Sequence, residues 1–373
     1  MYLHLNVFDS AASAAAEAFA LFDKLGNRYE AAVALTAKGS AEINRRLDAD
    51  AEADFYKDKQ IHLVVSTPPG GNYDAFARLI SIYLPKYIPG KPAIVVQNMG
   101  GGAGMTAANY MANQAPRDGT YIAGVHGSIP TNPLLSPNEA RYDATKINWL
   151  GSITQDPFVA YVWHTAKINK IEDLYTQTGI FGGAGVGAAS IDYAIIAREF
   201  LGLKLKIITG YANSPDVKLA MEKGEVDGTF GNAWTSLNAN EPTWLPEKKV
   251  RLILQFGLKP HPDIPKNIPL FISLAKTDQD RQALELLLSR QEISKPYLAP
   301  PEVPAGRVAI LRKAFDEAIK DPGFLADTKK AGLPVDGPMN GADLAALTAK
   351  LNQTPKSVVE RINSAFINFK DGK

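Results

Sequence analysis

The sequence predicts an α/β protein built as two lobes with a ligand cleft between them. Two glycine-rich loops carry that prediction, Pro68-Pro69-Gly70-Gly71-Asn72-Tyr73-Asp74 and Gly182-Gly183-Ala184-Gly185-Val186-Gly187-Ala188-Ala189-Ser190, each following a short apolar run and each opening a stretch with helical patterning. A junction of this kind presents free backbone N–H groups at the positive end of a helix dipole, so it attracts an anion without a charged side chain. Two such junctions in separate parts of the chain point to two α/β lobes facing one small anionic ligand.

The elements follow in order. Ile61 to Val65 is a buried strand, and the first glycine loop leads into a helix whose apolar face carries Phe76, Leu79, Ile80 and Tyr83, ended by Pro85 and Pro89-Gly90. Ala93 to Val96 is a second strand, Gly100 to Met105 leads into a helix around Ala107 to Ala115, and Tyr121 to Val125 is a third strand ending at His126-Gly127-Ser128. This order implies a parallel sheet with a ligand crevice beyond the carboxyl ends of its strands. A second series starts near Trp149: strand Phe158 to Trp163, a short helix at Ile171, strand Gly179 to Phe181, a helix through Tyr193, Ile196 and Phe200, strand Leu205 to Ile208, a helix over Asp216 to Lys223, strand Val226 to Phe230 and strand Val250 to Phe256. Pro260, Pro262, Pro265 and Pro269 then mark a surface crossing, and the remainder reads as helices.

Composition sets the bounds. The 373 residues are 46% hydrophobic, enough for a sizeable core and two or three domains. Forty basic residues against 39 acidic ones give a net charge of +1, so no global field favours nucleic acid or a membrane surface, and an anion site has to be local. With no cysteine, disulfides, thiolate nucleophiles and Cys-based metal sites are excluded.

The first residues show no basic leader ahead of an apolar core, because Asp9, Glu17 and Asp23 interrupt the apolar character, so no signal peptide is recognisable. Phe22, Leu25, Tyr29 and Val33 recur at helical spacing, and residues 1–53 read as a helical N-terminal extension.

Several blocks carry a family resemblance. Val64-Val65 with Pro69-Gly70-Gly71, Asp74 and Ala77-Arg78 resembles the opening motif of the extracytoplasmic substrate-binding receptors of tripartite tricarboxylate transporters, the Bug-type proteins. Val95 to Met99 with Gly102-Ala103-Gly104, then Pro116-Arg117-Asp118-Gly119-Thr120, Gly185 to Ser190, Gly224 to Asp227, Pro300 to Pro304 and Asp321 to Phe324 are similar to later family blocks in the same order. The resemblance runs from about Ala53 to the C-terminus. It implies a type II periplasmic-binding-protein fold, with lobe 1 formed by residues 54–157 and 256–373 and lobe 2 by 158–255. It also implies a small organic carboxylate as ligand, subunits of a tripartite tricarboxylate-type membrane transporter as partners, a periplasmic monomer, and neither cofactor nor catalysis. Family members carry a signal peptide ending near the position of Ala51 to Tyr56, where this chain has residues 1–53.

The expected ligand site follows from the loops. Gly70 and Gly71 let backbone approach a ligand and adopt positive φ, so the N–H groups of Asn72, Tyr73 and Asp74 are candidate carboxylate donors. The Asp74 side chain is better suited to the helix dipole and to pairing with Arg78 at i+4. In the second lobe the candidates are Gly185, Val186, Gly187, Ala188 and Ala189 with the Ser190 hydroxyl; tight strand–helix turns alone would also require these glycines. His126, Gly127, Ser128 and Asn232 sit at expected strand ends, and Trp163 and Trp234 suit a lobe core better than a cleft wall. No Arg or Lys stands in either glycine loop, which favours an amide-lined site over an arginine clamp.

The rival reading is a dinucleotide-dependent oxidoreductase, because Gly183-x-Gly185-x-x-Ala188 fits the relaxed dinucleotide fingerprint. The next strand ends in Ile207-Ile208-Thr209-Gly210-Tyr211, with no acid for a ribose diol. There is no Gly-x-Ser-x-Gly elbow and no paired-ligand histidine spacing. Backbone donors recognise a carboxylate and say little about the rest of the ligand, so citrate-like, dicarboxylic, aromatic and amino-acid ligands all fit.

Overall fold

A computed structural model describes residues 16–17, 38, 52, 54–184, 188–211 and 214–370. The expected helical extension over residues 1–53 lies almost wholly outside that set, as do Gly185, Val186 and Gly187.

The chain builds two sheets. The first contains β1 (Gln60–Val65), β2 (Ala93–Asn98), β3 (Tyr121–Gly124), β4 (Asn148–Ser152), β10 (Pro296–Ala299) and β11 (Met339–Asn340), in the order β11-β4-β10-β3-β1-β2. The second contains β5 (Phe158–Trp163), β6 (Gly179–Gly182), β7 (Leu205–Ile208), β8 (Gly228–Ala233) and β9 (Val250–Phe256), in the order β7-β6-β8-β5-β9. The chain therefore passes from the first sheet to the second after β4 and returns after β9.

β1 pairs in parallel with β2 and β3, as the strand–helix alternation predicts. Ile61, Leu63 and Val65 join one apolar cluster while Val64 joins another, so both faces of β1 are covered. Helix α1 (Asn72–Tyr83) lays Phe76, Ala77, Ile80 and Tyr83 on the first of these clusters, together with Phe315 and Phe324. Helix α2 (Met105–Asn113) packs Ala107, Ala108 and Met111 against the other face. That second core runs on to Phe181, Ile191, Phe230 and Phe256 of the second sheet. The helix over Asp278–Glu292 helps to join them, with Leu284, Leu286, Leu287 and Leu288 all fully buried. Trp234 is buried in a third cluster, with Trp163 packed against its rim beside Trp244, so both belong to the core of the second sheet.

Two expectations need correction. The stretch near Trp149 is β4 of the first sheet and not the start of the second series, because it pairs antiparallel with β10, a strand the sequence reading leaves out. The first sheet is also mixed and not wholly parallel, since β10 runs antiparallel to β3; the second, for which the sequence made no such prediction, is mixed as well, with β5 antiparallel to β8 and β9.

Candidate functional site

Strand pairing fixes where the two glycine loops lie. β4 ends at Ser152, which pairs with Pro296, and Tyr297 in turn pairs with Gly124 at the carboxyl end of β3. Residues 153–157 then lead directly to Phe158, which pairs with Ala233 and Phe256, the carboxyl ends of β8 and β9. One short connection thus brings the carboxyl ends of the parallel strands of both sheets to the same place, and each glycine loop leaves from such an end.

In the first loop, Gly70 has φ +94° and Gly71 is the extended residue before α1, with no side-chain cap. A Cβ on either would meet no atom within 4 Å, so the space above the loop is open. Asn72, Tyr73 and Asp74 occupy the first turn of α1, where N–H groups lack intrahelical acceptors. Asp74 is only 4% exposed and its carboxylate is held within the loop. Oδ2 accepts from Gly70 N and Arg78 Nε, each at 2.9 Å, and Oδ1 accepts from Asn98 Nδ2 at 2.9 Å. The Arg78 hydrogen bond, joined by those of Gly70 and Asn98, holds the Asp74 carboxyl down to about 2. Asp74 is thereby the loop's internal brace, and its side chain is not directed to a ligand.

The Tyr73 ring stacks on His126, with centroids 4.5 Å apart and planes 16° apart, and its hydroxyl donates to the Ser294 carbonyl at 3.0 Å. Burial, and secondly the charge on Lys295, lowers the His126 pKa from 6.5, which favours the neutral ring. Close packing explains two glycines here. A Cβ on Gly104 would come within 3.0 Å of His126 Cδ2, and one on Gly127 would land on the Ile293 carbonyl oxygen. Ser66, at 1% exposure, lies in the same place, and its buried hydroxyl has no hydrogen-bond partner among the described residues. The Ser128 carbonyl accepts from Thr131 and Asn132, closing the turn after β3.

In the second sheet, Ala188 precedes the helix over Ala189–Leu201. Ala188, Ser190 and Asn232 line one cavity of about 130 Å³, together with Gly183, Tyr161 and Thr229. Asn232 donates through Nδ2 to the Tyr161 hydroxyl at 3.1 Å. No residue of the first loop lines this cavity. Gly183 has a packing role, since a Cβ there would come within 2.6 Å of both Ile191 Cδ1 and Ser190 Oγ.

Sequence reasoning missed the segment that connects these two groups. Arg290 Nη1 lies 3.5 Å from Asp192 Oδ2, and Gln291 Oε1 accepts from the Tyr193 hydroxyl at 2.6 Å, both just inside the helix that follows the second loop. Ser294 and Lys295 meet Tyr73 in the first turn of α1. Residues 290–295 therefore touch the starts of both loop-following helices. The available signal was charge: Arg290 and Lys295 bracket the mainly polar stretch Gln291-Glu292-Ile293-Ser294 that leads into β10.

No family model matches the chain. It is 28% identical over 192 residues to a UPF0065 protein of Bordetella bronchiseptica, a match covering 49% of this chain and 56% of that relative's length, so it spans little more than half of the relative. In structure it is similar to a TctC solute binding protein from Polaromonas, at a TM-score of 0.63 and 16% identity, covering 82% of this chain and 99% of the other. It is similar to the periplasmic binding protein BugD at a TM-score of 0.54 and 22% identity, covering 83% and 98% of the two chains. MatC from Rhodopseudomonas palustris with bound malate matches at a TM-score of 0.53 and 20% identity, covering 83% and 99%. These likenesses establish a periplasmic-binding-protein fold, and the neighbours are the receptors that the sequence motifs resemble.

Proposed function

We propose that this chain is an extracytoplasmic solute-binding receptor that captures a small carboxylate between two lobes, residues 54–157 with 256–373 and residues 158–255. The observation that carries this reading is the pairing through Ser152, Pro296, Phe158 and Ala233, which sets the carboxyl ends of both sheets' parallel strands side by side. In open α/β sheets that is where ligands bind, and here each end leads through a glycine loop into a helix N-terminus. MatC is a neighbour with malate bound. On this reading the ligand is held by first-turn amides of Asn72, Tyr73 and Asp74 on one side. The loop of Gly185, Val186, Gly187, Ala188 and Ala189, with Ser190 and Asn232, holds it on the other. The protein acts as a periplasmic monomer, without catalysis, and delivers its ligand to a tripartite tricarboxylate-type membrane transporter.

The oxidoreductase alternative is weaker. Gly183 is explained by strand–helix packing, and the end of β7 at Thr209 and Gly210 offers no acid to a ribose. A thermal-shift screen of organic acids, with NAD as the contrasting probe, separates the two. A receptor is stabilised by at least one acid and not by NAD. Stabilisation by NAD with no response to any acid would reverse the assignment.

A further inference from the structure

We infer that Lys295 is the counter-ion of the bound anion, so that a cationic side chain, and not backbone amides alone, holds a carboxylate beside the first glycine loop. This rests on the receptor reading above. Lys295 directly precedes β10, whose antiparallel pairing with β3 delivers it to the carboxyl end of β1 and β3, where Val125 N donates to the Pro296 carbonyl at 3.0 Å. The residue is 8% exposed. Its ammonium donates to Ser294 Oγ at 2.9 Å and stands 4.3 Å from the centre of the Tyr73 ring. Tyr73 is the second residue of α1, so the ammonium lies against a side chain from that helix's first turn.

Among the described residues no carboxylate lies within 4 Å of that ammonium, whereas the other buried lysine among them, Lys218, is paired with Glu241 at 2.8 Å. An ammonium withdrawn from water without an opposite charge destabilises the fold, and a ligand that brings negative charge relieves the deficit. The charge is felt around it: it helps to lower the pKa of His126 and opposes the upward push of burial on the Asp156 carboxyl. Asp156 is the competing partner. Its Oδ1, however, already accepts from Thr235 Oγ1 at 3.0 Å. The first turn of α1, a buried ammonium with no carboxylate partner against the Tyr73 ring, and the unpartnered Ser66 hydroxyl beside Gly104 all lie at the carboxyl ends of β1 and β3, a set that suits one carboxylate group of an organic acid.

The test uses Lys295→Met and Lys295→Arg in the full chain, with malate, adipate and citrate as probes in calorimetry and thermal unfolding. Lys295→Met is expected to melt without ligand at or above the wild-type temperature, because an unpaired buried charge is gone. The acid that wild type binds best should then bind at least about tenfold more weakly, while Lys295→Arg stays within a few-fold of wild type. Wild-type affinity in Lys295→Met would overturn the inference and leave the loop amides as sole holders. A lower melting temperature without ligand in Lys295→Met, with affinity lost only in proportion, would overturn it in favour of a structural pairing with Asp156. If wild type binds none of the three acids, the receptor reading fails for this ligand class and the inference falls with it.

Discussion

The rings of Tyr73 and His126 lie nearly parallel with centroids 4.5 Å apart, which ties the first turn of α1 to the turn after β3. Such stacking contributes about 0.5–1.5 kcal/mol beyond the area it buries. It also makes the site sensitive to acid. Burial first, and Lys295 second, lower the His126 pKa below 6.5, so as pH falls the unfolded chain takes up that proton before the folded one. The contribution is fully present above 6.5 and is lost as pH drops below it. Melting temperature is therefore expected to decline on acidification from about pH 7 to about pH 5, and less steeply in His126→Phe, which keeps a stacking ring but cannot titrate. Equal slopes for the two proteins would show that His126 is not the group responsible.

Asp74 gives a second expectation. Its carboxylate is the common acceptor for Gly70, Arg78 and Asn98, so Asp74→Ala removes three part-buried hydrogen bonds at once. The expected destabilisation is about 1–3 kcal/mol, read as a lower urea midpoint. Because the folded pKa is depressed to about 2, this stabilisation is present above 3.8 and is lost as pH falls through about 2. A urea midpoint unchanged by the substitution would mean that the loop holds its shape without this brace.

These two sites also show how much the sequence made legible. β1 and β2 stand out because apolar runs such as Leu63-Val64-Val65 and Ile94-Val95-Val96, rich in β-branched residues, are followed or enclosed by glycine and proline. β4 and β10 do not, since Asn148-Trp149-Leu150-Gly151-Ser152 lacks alternation and Pro296-Tyr297-Leu298-Ala299 is short and enclosed by prolines. Their signal lies in each other, across a long separation in sequence, and no local pattern reports it. The i+4 pairing of Asp74 with Arg78 was readable directly, whereas the third brace, Asn98, enters from the neighbouring strand. Lys295 was missed for the same reason as β10. A lysine reads as surface until the pairing of its strand shows that it is buried.

Gly127 tests whether the segment over residues 290–295 really holds the turn after β3. An added Cβ would fall on the Ile293 carbonyl oxygen and 2.8 Å from that of Arg290, both backbone atoms that cannot rotate away. Gly127→Ala must push the segment off the turn after β3, with an expected loss of about 1–3 kcal/mol, typical of overpacking. Gly70→Ala, by contrast, meets open space and only the strain of φ +94°, so it is expected to be milder. Thermal unfolding of both variants checks the order. A more stable Gly127→Ala than Gly70→Ala would show that the segment is free to shift.

Asn232 tests the sign of the ligand's charge at the second sheet. It lines the cavity of about 130 Å³ with Ala188 and Ser190, and its Nδ2 donates to the Tyr161 hydroxyl. Asn232→Asp keeps the shape of the side chain, and the Tyr161 hydroxyl can reverse its role and donate to the new carboxylate, so the local hydrogen bond survives. The change that remains is a negative charge in a small cavity at the carboxyl end of β8. If a carboxylate is held there, affinity should fall at least about tenfold, or about 1.4 kcal/mol, and the free protein should melt somewhat lower because the new charge is largely buried. Calorimetry with malate on the two proteins reads this directly. Tighter binding by Asn232→Asp would mean that the cavity receives a cationic or donor-rich part of the ligand, with the anionic group held at the first loop alone.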